Sequence, residues 1–89
     1  MTVRTVRVTN ALGLHARAAA RFVHVASQYT AHIRVGRDGR SMDGKSIMGI
    51  LLLAASKGTD LTISADGEDE VRAVTALADL IASGFGEGS

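Results

Sequence analysis

The chain has 89 residues, 46% of them hydrophobic and 21% charged, with ten Lys/Arg against nine Asp/Glu and a net charge of +1. That length holds one small core, expected over residues 1–89, and not two. The lack of Cys excludes a disulfide framework, a thiol nucleophile and a cysteine-ligated metal.

The longest apolar run, IMGILLLAA from Ile47 to Ala55, is too short to span a bilayer, and MTVRTVRV has no signal-peptide core. These features predict a cytoplasmic protein with no membrane insertion. Charge is split along the chain: residues 1–45 carry eight Lys/Arg and two acids, residues 46–89 two and seven. One end should therefore attract acidic partners. A nucleic-acid partner is not expected, because the overall balance is near neutral, aromatic residues make up 3%, and no nucleic-acid motif is present.

In chain order, Val3 to Val8 alternates as a half-buried strand, with Val6 and Val8 inward and Arg7 outward. Asn10 to Leu14 reads as a loop. From Ala16 the alanines favour helix, and Ala19, Phe22, Val23 and Ala26 form one apolar stripe opposite Arg17, Arg21, His24 and Gln28. His32 to Val35 is a second strand, and GRDG (Gly36 to Gly39) turns it back into a third, Arg40 to Asp43.

Ile47 to Ala54 fits strand or helix by periodicity. Ser46 as N-cap and Gly58 as stop select a short helix. Leu61, Ile63 and Ala65 define a fourth strand. Glu68, Asp69 and Glu70 suit a first helical turn, followed by a stripe of Val71, Val74, Leu77, Ala78 and Ile81. Residues 84–89 are expected to be a flexible tail. The order βαββαβα predicts an α+β fold, a four-stranded, mostly antiparallel sheet with helices on one face. The other face, with Thr5, Arg7, Arg34, Thr62 and Ser64, is polar enough to meet water.

The stretch GLHARAAARFV, Gly13 to Val23, places His15 at or next to a helix N-cap. The first N–H groups of a helix lack internal partners, so an anion there gains donors and the positive end of the dipole. A phosphoryl group on His15 would meet the N–H groups of Ala16, Arg17 and Ala18, and the Arg17 guanidinium offers planar donors to phosphate oxygens. On spacing alone, a histidine at this point more often caps a helix than reacts. His24 and His32 read as surface residues, and no metal site is expected, since His15 and His24 point to opposite sides of the helix.

Two motifs decide between these readings. GLHARAAA resembles the active-site signature of the HPr family, the histidine-containing phosphocarriers of the bacterial phosphoenolpyruvate-dependent phosphotransferase system, and KSIMGILLLAA resembles that family's second signature. Their separation, the DG turn and the closing acidic helix agree as well. The resemblance implies an open-faced β-sandwich in which His15 takes phosphate from Enzyme I on Nδ1, Arg17 steadies it, and an Enzyme IIA-type acceptor receives it. No cofactor is implied. The second helix then offers a docking patch, Ile47, Met48 and Leu51, together with Ala20 and the basic Arg17, Arg21 and Lys45, while Ile50 and Leu53 are expected in the core.

Ser46 matches the serine that HPr kinase/phosphorylase modifies in some lineages; capping and regulation are both open for it. Phosphate there would repel an acidic partner. Ala18 stands where many members have proline, and Leu12 where an asparagine often precedes the glycine. The alanine version is frequent in nitrogen or regulatory branches, so sugar uptake is not the sole expected role. An alternative is a regulatory binding protein that acts through the same Ser46/His15 surface without onward transfer.

Overall fold

The computed structural model describes residues 1–87. Its elements are β1 (Thr2–Arg7), α1 (Ala16–Ala26), β2 (His32–Arg37), β3 (Arg40–Asp43), α2 (Ile47–Leu52), β4 (Asp60–Asp66) and α3 (Glu70–Ala82), closed by a one-turn 3-10 helix at Gly84–Gly86. The strands lie in the order β1-β4-β2-β3, every pairing antiparallel. This is the βαββαβα open-faced sandwich that the periodicity predicts.

Alternation along the central strands sets the two faces. Leu61, Ile63 and Ala65 of β4 and Ile33 and Val35 of β2 are buried, while Thr62, Ser64 and Arg34 lie on the opposite face. Phe22, Ile50, Leu53, Leu77, Ile81 and Phe85 fill the helix side of the core. Each such side chain, fully buried, contributes about 1.5–3 kcal/mol of hydrophobic stabilisation. Asp38 and Gly39, both at positive φ, make the two-residue connection between β2 and β3, the geometry that matches strand twist.

Several expectations change. β1 ends at Arg7, and Val8 is held in the core beyond it by hydrogen bonds with Thr59 and Gly58. β2 runs on to Arg37, and β4 gains Asp60 and Asp66. Helix α2 stops at Leu52, because Ala54 turns to φ +50°, well before Gly58, which serves the turn into β4. In α3, Val71 is exposed and Ala73 takes the inward place. The acids at the start of α3 serve tertiary links: Asp69 accepts from the N–H groups of Thr30 (2.8 Å) and Ala31 (2.9 Å), and Glu70 pairs with the N-terminal amine at 3.1 Å.

The largest difference is at the C-terminus, where a tail is expected over 84–89. Phe85 is buried in the core, and Gly84, Phe85 and Gly86 all adopt left-handed φ, +69°, +60° and +73°. Left-handed backbone costs a non-glycine residue about 1–2 kcal/mol, which burial of a phenylalanine offsets. Two flanking glycines let the chain make the rest of the turn without that cost. Residues 88 and 89 of the expected tail lie outside the described residues. Among the described residues no helix is long and apolar enough to cross a membrane.

Candidate functional site

Gly13 sets the approach to α1. At φ +63° it brings Leu14 against the loop after α2, where Leu14 N–H donates to the Ala55 carbonyl at 2.8 Å. His15 then takes the N-cap position in an extended conformation, φ −75° and ψ 178°. Its Nδ1 accepts the Arg17 N–H at 3.3 Å, so the ring occupies the place a capping oxygen usually holds. Ala16, Arg17 and Ala18 supply the first N–H groups of the helix, and Ala18, without a polar side chain, is wholly buried.

The other ring nitrogen faces the C-terminal turn. His15 Nε2 and the Glu87 carboxylate are in direct contact, and the Glu87 second oxygen accepts from Asn10 Nδ2 at 3.0 Å. Asn10 Nδ2 also donates to the Gly13 carbonyl at 2.9 Å, while its Oδ1 is buried with no partner among the described residues. The His15 ring and then the Asn10 amide hold the Glu87 carboxyl below the usual carboxylate range. Arg21 Nη1 donates to the Phe85 carbonyl and ties α1 to the same turn.

These residues surround a cleft of about 660 Å³ lined by Leu12, His15, Ala16, Arg17, Arg21, Gly86 and Glu87. The chain supplies an imidazole with one face to solvent, an exposed guanidinium beside it and helix-terminal N–H groups. That set suits a dianion bound covalently to the ring.

A family model described as the PTS HPr component phosphorylation site matches residues 2–83. The chain belongs to the HPr family. It is 51% identical to the phosphocarrier protein HPr of Pseudomonas aeruginosa over 89 residues, and 46% identical to that of Cupriavidus necator over 88, with 99% of each chain covered. Among solved structures, HPr of Thermoanaerobacter tengcongensis superposes with a TM-score of 0.96 at 46% identity over 100% of both chains. HPr of Bacillus anthracis gives 0.87 at 40% identity, covering 90% of this chain and 95% of the other. This molecule is an HPr phosphocarrier of the phosphotransferase system.

In this HPr fold, the predicted site residues separate into two groups. His15, Arg17 and Arg21 share the cleft, and Ala20 is exposed on the same helix. Ile47 and Met48 are exposed and Leu51 half-buried on α2, with Ile50 and Leu53 in the core, and none of the α2 residues lines the cleft. Leu52 adds to the exposed apolar surface of α2. Ser46 Oγ accepts the Gly49 N–H at 3.0 Å and caps α2. Lys45 Nζ donates to the Tyr29 carbonyl at 2.6 Å, just past the C-terminal end of α1 and so about 16 Å of helix from His15.

Three residues of the site escape the sequence reading. Leu12, 72% exposed, gives the cleft an apolar edge; Asn10 sits under the loop; and Glu87 lies in the segment expected to be free. A phenylalanine between two glycines in a supposed tail was the available signal, since a solvated tail has no use for a large apolar side chain.

Proposed function

We propose that His15 accepts a phosphoryl group on Nδ1 from phosphorylated Enzyme I and passes it to an Enzyme IIA-type protein, in the cytoplasm. The observation that carries this is the placement of His15 at the N-cap of α1, its Nδ1 directed at the Arg17 N–H and the Arg17 side chain exposed in the same cleft. Nδ1 needs only to replace one weak N–H contact with a phosphorus atom. The phosphate oxygens then meet the Ala16, Arg17 and Ala18 N–H groups and the dipole of an eleven-residue helix. Arg17 contributes charge and directional donors. Partners reach the site across Ala20, Arg21, Ile47, Met48 and Leu51, where flexible Met48 suits more than one surface.

A second reading is regulation through Ser46. Two of the similar structures are of Crh of Bacillus subtilis, at 40% and 41% identity, and one of them is described as the catabolite repression HPr. Ser46 phosphorylated by an HPr kinase/phosphorylase would place negative charge on the docking side of α2.

The test of the first reading is incubation with phosphoenolpyruvate and cognate Enzyme I, followed by intact mass before and after acid. One acid-labile phosphate is expected on the native chain and none on His15→Ala, with Arg17→Ala labelled more slowly. No mass gain with active Enzyme I would reject the carrier reading and leave regulation in the lead.

A further inference from the structure

We propose that Asn10 and Glu87 are positioning residues for His15, a relay that holds the ring with its hydrogen on Nε2 and its lone pair on Nδ1. The inference rests on the reading that His15 accepts phosphate, and it adds two residues on which neither the motif nor the sequence pattern bears. The two ring nitrogens have opposite surroundings: Nε2 meets a carboxylate, which only accepts, and Nδ1 meets a backbone N–H, which only donates. A neutral imidazole satisfies both in one tautomer alone, the one that leaves Nδ1 nucleophilic.

Behind the ring, Asn10 is oriented just as tightly. Its two neighbours, the Gly13 carbonyl and Glu87 Oε1, are both acceptors, so only Nδ2 can face them. Asn10 is wholly buried, and its Oδ1 has no partner among the described residues. A buried amide with an unsatisfied oxygen is an expensive way to fill space, and here its two N–H groups join the site loop to the C-terminal turn. Glu87 in turn reaches the ring only through the left-handed Gly84–Gly86 turn, which Arg21 clasps at the Phe85 carbonyl. Unusual backbone of this kind clusters where geometry matters for function.

In the transfer itself, the Nδ1 lone pair forms the bond to phosphorus while the bond between phosphorus and the donor breaks, its electron pair leaving with the donor. No proton has to depart, because Nδ1 carries none. The ring becomes a phosphorylated imidazolium whose Nε2 hydrogen still faces Glu87, and the carboxylate stabilises that positive charge as it develops. On onward transfer the N–P bond breaks and its pair returns to Nδ1. Glu87 moves no proton in either direction; it orients the ring, as a carboxylate does behind a catalytic imidazole.

The experiment is nitrogen-15 NMR of the His15 ring in the wild type, Glu87→Ala and Glu87→Gln at a pH where the ring is neutral. Backbone spectra check that each variant is folded. The wild type is expected to show Nδ1 without hydrogen and Nε2 with it, and Glu87→Ala a mixture of both tautomers. Glu87→Gln, offering one acceptor to two donors, should fall between them. In single turnovers with phosphorylated Enzyme I, Glu87→Ala should react about tenfold more slowly with little change in the concentration for half-saturation. A hydrogen on Nδ1 in the wild type, an unaltered tautomer in Glu87→Ala, or an altered tautomer with an unaltered rate would each overturn the relay. If the wild type takes no phosphate at all, the carrier reading fails instead, and the ring signals still report on the tautomer.

Discussion

Gly13 and Ala55 approach so closely that a Cβ on Gly13 would stand 2.4 Å from the Ala55 carbonyl oxygen. Both the left-handed φ of Gly13 and this contact come from one requirement: the loop must bring Leu14 N–H onto Ala55 and present His15 as the helix cap. Gly13→Ala therefore combines backbone strain with a clash against backbone that has little room to yield. Destabilisation of about 2–4 kcal/mol is expected in urea unfolding. A change below about 0.5 kcal/mol would mean that the loop reaches His15 by another path.

Phe85 offers a direct test of the C-terminal turn. Its side chain is 1% exposed and packs in the main core cluster. Phe85→Ala should cost about 3–5 kcal/mol, the range for a large aromatic lost from a packed interior. A free tail would lose almost nothing. The same variant releases Glu87 from the His15 ring, so its ring spectrum should resemble that of Glu87→Ala.

Asp69 ties α3 to the segment before β2. The N–H groups of Thr30 and Ala31 hold its carboxyl below the ordinary carboxylate range. The folded value lies below the unfolded one, so the stabilisation is complete above the unfolded value of about 3.9 and is lost as pH falls through the folded value. Asp69→Asn can accept from only one of the two N–H groups without an amide facing the other. Its Tm should lie below that of the wild type at pH 7, and the gap should narrow in acid, below about pH 3.9. A gap independent of pH would show that the charge of Asp69 contributes nothing.

Much of the fold was legible because its signals are local. Alternation in Leu61, Ile63 and Ala65, the Asp38-Gly39 turn and the stripe of Ala19, Phe22 and Ala26 each depend on residues a few positions apart, and of the three strand pairings only that of β2 with β3 is joined by a short connection. Boundaries were less legible. The stop of α2 at Leu52 has no glycine to mark it, because the left-handed turn that follows falls on Ala54, φ +50°, between the buried Leu53 and Ala55. Val71 carries the period of the α3 stripe but sits on the helix's first exposed turn.

His15 and Arg17 were readable from one short motif, since a helix start and its first N–H groups are a property of neighbouring residues. The hydrogen bond from the Lys45 ammonium to the Tyr29 carbonyl, sixteen residues away, has no mark in the spacing of the chain. Glu87 and Asn10 are 77 residues apart, and nothing in the spacing of the chain announces their hydrogen bond. The placing of His15 at a helix start was thus encoded in local sequence, where helix propensity and capping act over a few residues. Which carboxylate faces the ring, and which tautomer that favours, came from the closing of the chain's two ends on one another, because hydrogen bonds between distant segments exist only once the core has packed.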